Sequence, residues 1–282
     1  MLPFWISIGA LSLTQGALVA LPGVLAPSVL RRAGGRRWAL IPPLSVIGFV
    51  LIAREAERAS AQGLTYLALC AVPPLAALSL GLLGRGARPL LAALVAPLFA
   101  LAWADPGGLA GQASALALSG LSCVSLGVLL AALTPTVWLG AGIVAMALAD
   151  TALVVSDLLQ RPNSALNAAH PAAGLPRLQS AVFGSAVMGY GDLFVAAVLG
   201  GLLAASVGRR GQLGVAALTA VLAVSFDLLF FLVDELPATV PVAAALLLSA
   251  AWRRRRSARR RSPAPVQEPP QSPRQARTRA AR

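Results

Sequence analysis

Four aspartates lie where the surrounding sequence is apolar: Asp150, Asp157, Asp192 and Asp227, out of ten acidic residues in a chain of 282. An ionised Asp at the centre of a membrane helix costs about 2.5–3.5 kcal/mol on insertion scales, so acids in such places are candidates for chemistry by default. Asp150 and Asp192 form the central pair. They fall in consecutive apolar stretches, which as helices run antiparallel. Counted from the loop that joins them, Asp150 is 9 residues deep and Asp192 is 12, roughly 14 and 18 Å at about 1.5 Å per residue. The spacing predicts that the two carboxyls face each other. Two carboxyls held together in a low dielectric cannot both ionise easily, and they share a proton. Such a pair can take a proton from water as general base and give one to a leaving amine as general acid. The plainer alternative has each Asp hydrogen-bonded to a Ser or a main-chain group between helices, at the cost of two independent burials. Asp157, two turns beyond Asp150, reads as an interfacial acid near a helix end, and Asp227 as structural. Asp234 and Glu235 read as solvated residues in a tight turn.

The residues around the second Asp are Met188-Gly189-Tyr190-Gly191-Asp192. Glycines on both sides of Tyr190 let another backbone, or an extended substrate, approach closely, and they loosen the helix. A peptide bond inside a regular helix is shielded from attack, so unwinding beside an acid is useful. Ordinary small-residue packing explains Gly200-Gly201 equally well. A third element is Pro237-Ala238-Thr239-Val240-Pro241. Two prolines four apart give an irregular helix start whose free backbone groups must be met by protein or by water in a cavity; the simpler reading is a Pro-initiated helix. Cys70 and Cys123 both sit in apolar stretches, and the single His170 has no partner motif. No metal site and no disulfide framework is expected.

These residues need membrane helices to hold them. The chain is 57% apolar and 12% charged, with a mean hydropathy of +0.77; soluble domains carry about 25% charged residues. Breaks in the apolar pattern predict about nine spans of roughly 20 residues: Phe4–Leu30, Trp38–Ala53, Leu64–Leu83, Leu90–Ala104, Leu109–Leu133, Trp138–Leu159, Ser180–Val207, Leu213–Val233 and Leu236–Ala251. Eight is the rival count. Every basic residue is Arg, and 11 of the 23 follow Trp252. The net charge of +13 is thus a property of the tail, and nucleic acid is not expected as a partner. With nine spans, the loops on one side carry 8 arginines besides the tail and the opposite loops carry 4. The excess of Arg on the inner side places the C-terminus in the cytoplasm. The first span, with no basic residues before it and no small-residue cleavage site, reads as a retained helix.

An Asp in the sixth span, Gly-x-Gly-Asp in the seventh and Pro-Ala opening the ninth resemble the presenilin and signal-peptide-peptidase intramembrane aspartyl proteases, over about Trp138–Ala251. The resemblance implies that Asp150 and Asp192 are the catalytic aspartates. It implies that Gly189 and Gly191 belong to the second aspartate's motif, and that Pro237 and Ala238 match the Pro-Ala-Leu motif lining the site. The inferred orientation resembles the signal-peptide-peptidase branch. The chain departs from the family at Ala149, where a Tyr usually precedes the first Asp, and at Thr239, which replaces the Leu of Pro-Ala-Leu. Gly189–Gly200 is also similar to the prepilin peptidases, whose first Asp at the membrane edge suits Asp157 better. Those enzymes commonly carry a Lys close after the second Asp, and this chain has no Lys. Outside proteolysis, intramembrane acids serve as proton or cation relays in transporters.

The expected fold class is an all-α polytopic membrane protein, a presenilin-like bundle of about nine helices. Residues 1–137 would form the first five spans, 138–251 the catalytic-type spans and 252–282 a disordered Arg/Pro-rich cytoplasmic tail. The expected function is hydrolysis of transmembrane helices or signal-peptide remnants, without cofactor, in the lipid bilayer of a bacterial inner membrane. Tyr190 and Pro237–Pro241 would hold the substrate extended. The Arg-only, Ala-rich composition suggests a high-GC coding sequence, hence the bacterial assignment.

Overall fold

The computed structural model describes residues 2–24, 34–44, 47–48, 57–158, 164–166, 168–169, 171–233 and 236–261. Within them the chain is mostly helical. In order come α1 (Phe4–Ala20), a 3-10 turn (Arg36–Leu40), α2 (Glu57–Leu78), α3 (Val95–Ala104), α4 (Leu109–Leu133) and α5 (Thr136–Val155). A hairpin of β1 (Ser180–Phe183) and β2 (Ala186–Gly189) follows, then α6 (Tyr190–Ser206), α7 (Arg209–Asp227) and α8 (Val240–Arg261). Among the described residues four helices are long and apolar enough to cross a membrane: Ala61–Leu83, Leu109–Leu133, Thr136–Val155 and Arg209–Phe231. Phe4–Ala20, Pro89–Ala104 and Tyr190–Ser206 are shorter apolar helices. These are the helices of a membrane-embedded protein; much of the expected second span, and the residues Asp234, Glu235 and His170, lie outside the described residues.

Two compact units divide the chain, residues 1–246 and 247–282. In the first, α6 is the core. Its residues Leu193 to Ala204 are buried without a break, which is why this stretch is apolar on every face and shows no amphipathic stripe. Its neighbours α1, α4 and α5 pack around it, and small residues let backbones close in. A Cβ added to Gly127 of α4 would lie 2.4 Å from the Ala197 carbonyl, and one on Gly200 would lie 2.7 Å from the Val19 carbonyl of α1. At one end of the unit the last carbonyls of α1 are met from two loops. The Arg85 N–H donates to Leu21 O and Arg209 Nη1 to Ala20 O. Buried Gln212 donates to Val19 O and Pro22 O while its Oε1 accepts from Arg85 Nη2. At the opposite end of α1, Trp5 stacks on Phe231 with centroids 4.5 Å apart, and Phe4 meets Phe230 edge-on.

Two expectations are corrected. Ser180–Val207 is not one helix: its first ten residues are the hairpin. Gly184 at the first turn position has φ +61°, as a type II′ two-residue turn requires. The pairing Phe183↔Ala186, Ala181↔Met188, Val182↔Val187 and Ser180↔Gly189 follows from it. This short segment pairs part of its backbone across the hairpin, at Phe183/Ala186 and Ala181/Met188, and leaves the outer edge of β2 open. The architecture is therefore helical with one small sheet. Second, the Arg-rich segment expected to be unstructured from residue 252 continues α8 as helix through Arg261.

Candidate active site

Asp150 lies five residues before the end of α5, and Asp192 is the third residue of α6. Both line one cavity of about 980 Å³ and are close enough to interact electrostatically. The pair expected from sequence therefore comes together, by a different route. The depth count had assumed helix on both sides of the loop, whereas the second Asp is carried by the first turn of a helix that starts where the hairpin ends. Gly189, in extended conformation, is the N-cap residue, and its N–H donates to Asp192 Oδ2 at 3.1 Å. A carboxylate at this position also faces the positive end of the helix dipole. Gly189 has no room to spare: an added Cβ would sit 3.1 Å from the same oxygen. Gly191 is also in the cavity wall, and a Cβ added there would meet only the Met146 side chain, at 3.7 Å.

Asp150 is held from the opposite side of the chain. Thr239 Oγ1 donates to Asp150 Oδ2 at 2.7 Å. Thr239 is fully buried, in the turn that leads from Pro237 into α8. Pro237 O accepts the Val240 N–H, and Pro241 follows in the first turn of the helix. Ala238 and Pro241 line the cavity beside the two aspartates. Tyr190, between the two glycines, is another cavity-wall residue, and its hydroxyl is 2.7 Å from Ser122 Oγ on α4. Cys123, next to that Ser, is buried and free; Cys70 is exposed and free.

The remaining acids separate. Asp157 is exposed, with φ +56°, immediately after α5. Its N–H donates to Val154 O and the Leu158 N–H to Leu153 O, so it closes the helix in a Schellman motif and does not join Asp192. Asp227 ends α7, is buried against the same cavity, and accepts from Ser12 Oγ of α1 at 2.7 Å. Its bond to Ser12 is the interhelical contact of a structural acid, and it also lines the cavity. Among the described residues no three His, Cys, Asp or Glu side chains gather as a metal ion would need.

The site uses several residues that the sequence reading passed over: Thr239, Ser122, Ser12 and Gln15, whose Nε2 donates to Ala238 O at 2.9 Å. A signal for three of these positions existed. Ser119, Ser122 and Ser125 recur every three residues in an otherwise apolar helix, and all three are buried and bonded across to other elements. Ser12 and Gln15 show the same spacing on α1. No family model matches the chain, and neither a curated protein nor a solved structure matches it.

Proposed function

We propose that the protein is an intramembrane aspartyl protease in which Asp150 and Asp192 hydrolyse a peptide bond of a membrane-embedded segment. The observation that carries this reading is the meeting of two aspartates from different elements in one cavity, with a sheet edge running straight into one of them. In a two-residue hairpin the ladder bonds fall at Phe183/Ala186 and Ala181/Met188. The main-chain groups of Val187 and Gly189 therefore point away from β1, and Val187 is exposed. A substrate unwound from its helix can pair along this edge as an added strand, which brings its backbone to Asp192. Each aspartate has one oxygen anchored, by Gly189 N–H and by Thr239, and one left for a shared proton and a water. The ionised member takes a proton from the water as its oxygen attacks the scissile carbonyl, and the protonated member gives its proton to the carbonyl oxygen. Collapse of the diol returns a proton to the leaving amine. The substrates are single-span helices or signal-peptide remnants, in keeping with the resemblance to presenilin and signal peptide peptidase. The membrane is a bacterial inner membrane with the C-terminus cytoplasmic. The separation of Asp157 from Asp192 favours this pairing over a prepilin-peptidase arrangement.

Purified protein in liposomes, offered a tagged single-span helix, should cut it, and Asp150→Asn and Asp192→Asn should each abolish cutting while remaining folded. Equal cutting by all three would assign the activity to a contaminant and sink the reading. The third acid in the cavity, Asp227, favours a second reading as a proton-coupled transporter. Under it the liposomes would show proton flux, lost in Asp227→Asn, and no cleavage.

A further inference from the structure

The peptide unit between Ala238 and Thr239 is fixed from α1. Its carbonyl accepts from Gln15 Nε2 at 2.9 Å, which sets the plane of the chain leading into Thr239. The Thr239 hydroxyl adds a 2.7 Å bond to Asp150 Oδ2. Gln15 and Thr239 are almost wholly buried, at 1% and 0% exposure, so both act from within the packed structure. Among the described residues no other side chain donates to Asp150, and a carboxylate without a donor can change rotamer about its two side-chain torsions.

We infer that Thr239 is the positioning residue for Asp150, set in place by Gln15 through the Ala238 carbonyl. The threonine hydroxyl takes Oδ2 and leaves Oδ1 as the oxygen for proton and water. A leucine at this position, as in the family the chain resembles, has no hydroxyl to give, so this chain holds its first aspartate in its own way. The inference rests on the protease reading for its kinetic consequence only; the bonding claim stands apart from it.

The test compares Thr239→Val, Thr239→Ser, Gln15→Leu and the double variant Gln15→Leu/Thr239→Val with wild type, in liposomes with the single-span substrate. Thr239→Val is expected to lower kcat by roughly 10- to 100-fold, the scale of a misplaced catalytic group, with KM within about twofold. Thr239→Ser should restore most of the rate, and the double variant should lose less than the product of the two single losses. Wild-type rates in Thr239→Val and Gln15→Leu, with Asp150→Asn inactive, would overturn the inference and leave the protease reading intact. A second readout needs no catalysis: the infrared carboxyl band that disappears in Asp150→Asn. It should shift in Thr239→Val and stay in Thr239→Ser, and an unmoved band in Thr239→Val overturns the inference whether or not the protein cuts anything. Thr239→Ala, which lacks the hydroxyl and the β-branch, carries the same comparison where the valine variant does not fold.

Discussion

Asp192 owes its orientation to one main-chain donor, and that donor comes from a glycine beside which the carboxyl sits too close for a Cβ without shifting. A methyl on Gly189 would lie 3.1 Å from Asp192 Oδ2, closer than a carbon comfortably approaches an oxygen, so the carboxyl would have to turn away from the capping N–H. Gly189→Ala should therefore reduce cleavage at least about tenfold, a misplacement effect, while thermal unfolding in detergent moves little. On the same scale, Ser122→Ala leaves the Tyr190 hydroxyl without its 2.7 Å partner. Losing one such bond costs about 0.5–1.5 kcal/mol, which a melting curve will read. The aspartates themselves were legible as residues, since an acid in an apolar stretch is expensive and two of them invite an explanation. Their anchors were not. Thr239 stood in the sequence as a mismatch to a motif, and only its contact with Asp150 turns it into a donor.

At the scale of elements, α4 is the segment read correctly from end to end, Leu109–Leu133. Gly107-Gly108 before it and Thr134-Pro135 after it are signals that no apolar run can override. The hairpin was hidden for the opposite reason. Ser180–Gly189 is built of small and β-branched residues that suit helix packing and strands alike, and Gly184-Ser185 is a turn signal only once strands are suspected on either side. The edge of β2 makes a specific prediction. Proline at 187 would remove an N–H that faces away from β1 and would leave the ladder bonds of the hairpin in place. Val187→Pro should thus fold normally and lose cleavage of helical substrates through KM. Met188→Pro, which strikes a ladder position, should unfold the hairpin and lower the melting temperature.

For the molecule as a whole, stability rests on backbones in near contact around α6. A Cβ on Gly201 would come within 2.5 Å of the Gly127 carbonyl, and a main-chain atom cannot step aside cheaply. Gly201→Ala should cost about 1–3 kcal/mol by overpacking, measured as a lower unfolding temperature in detergent. The two ends of α1 carry different chemistry, arginines and glutamine at one and stacked aromatics at the other. One further consequence concerns the order in which the protein is made. α1 is made before its partners: Ser12 and Gln15 meet Asp227 and Ala238, 215 and 223 residues later in the chain. Neither bond can form before those residues have been synthesised. The arrival of α1 against α7 and the Pro237–Thr239 turn is a late step of assembly, and the same step brings Gln15 to the peptide that leads into Thr239. A chain translated no further than α7 therefore lacks the grip on Asp150, and the cavity is completed only once the Pro237–Thr239 turn has been made.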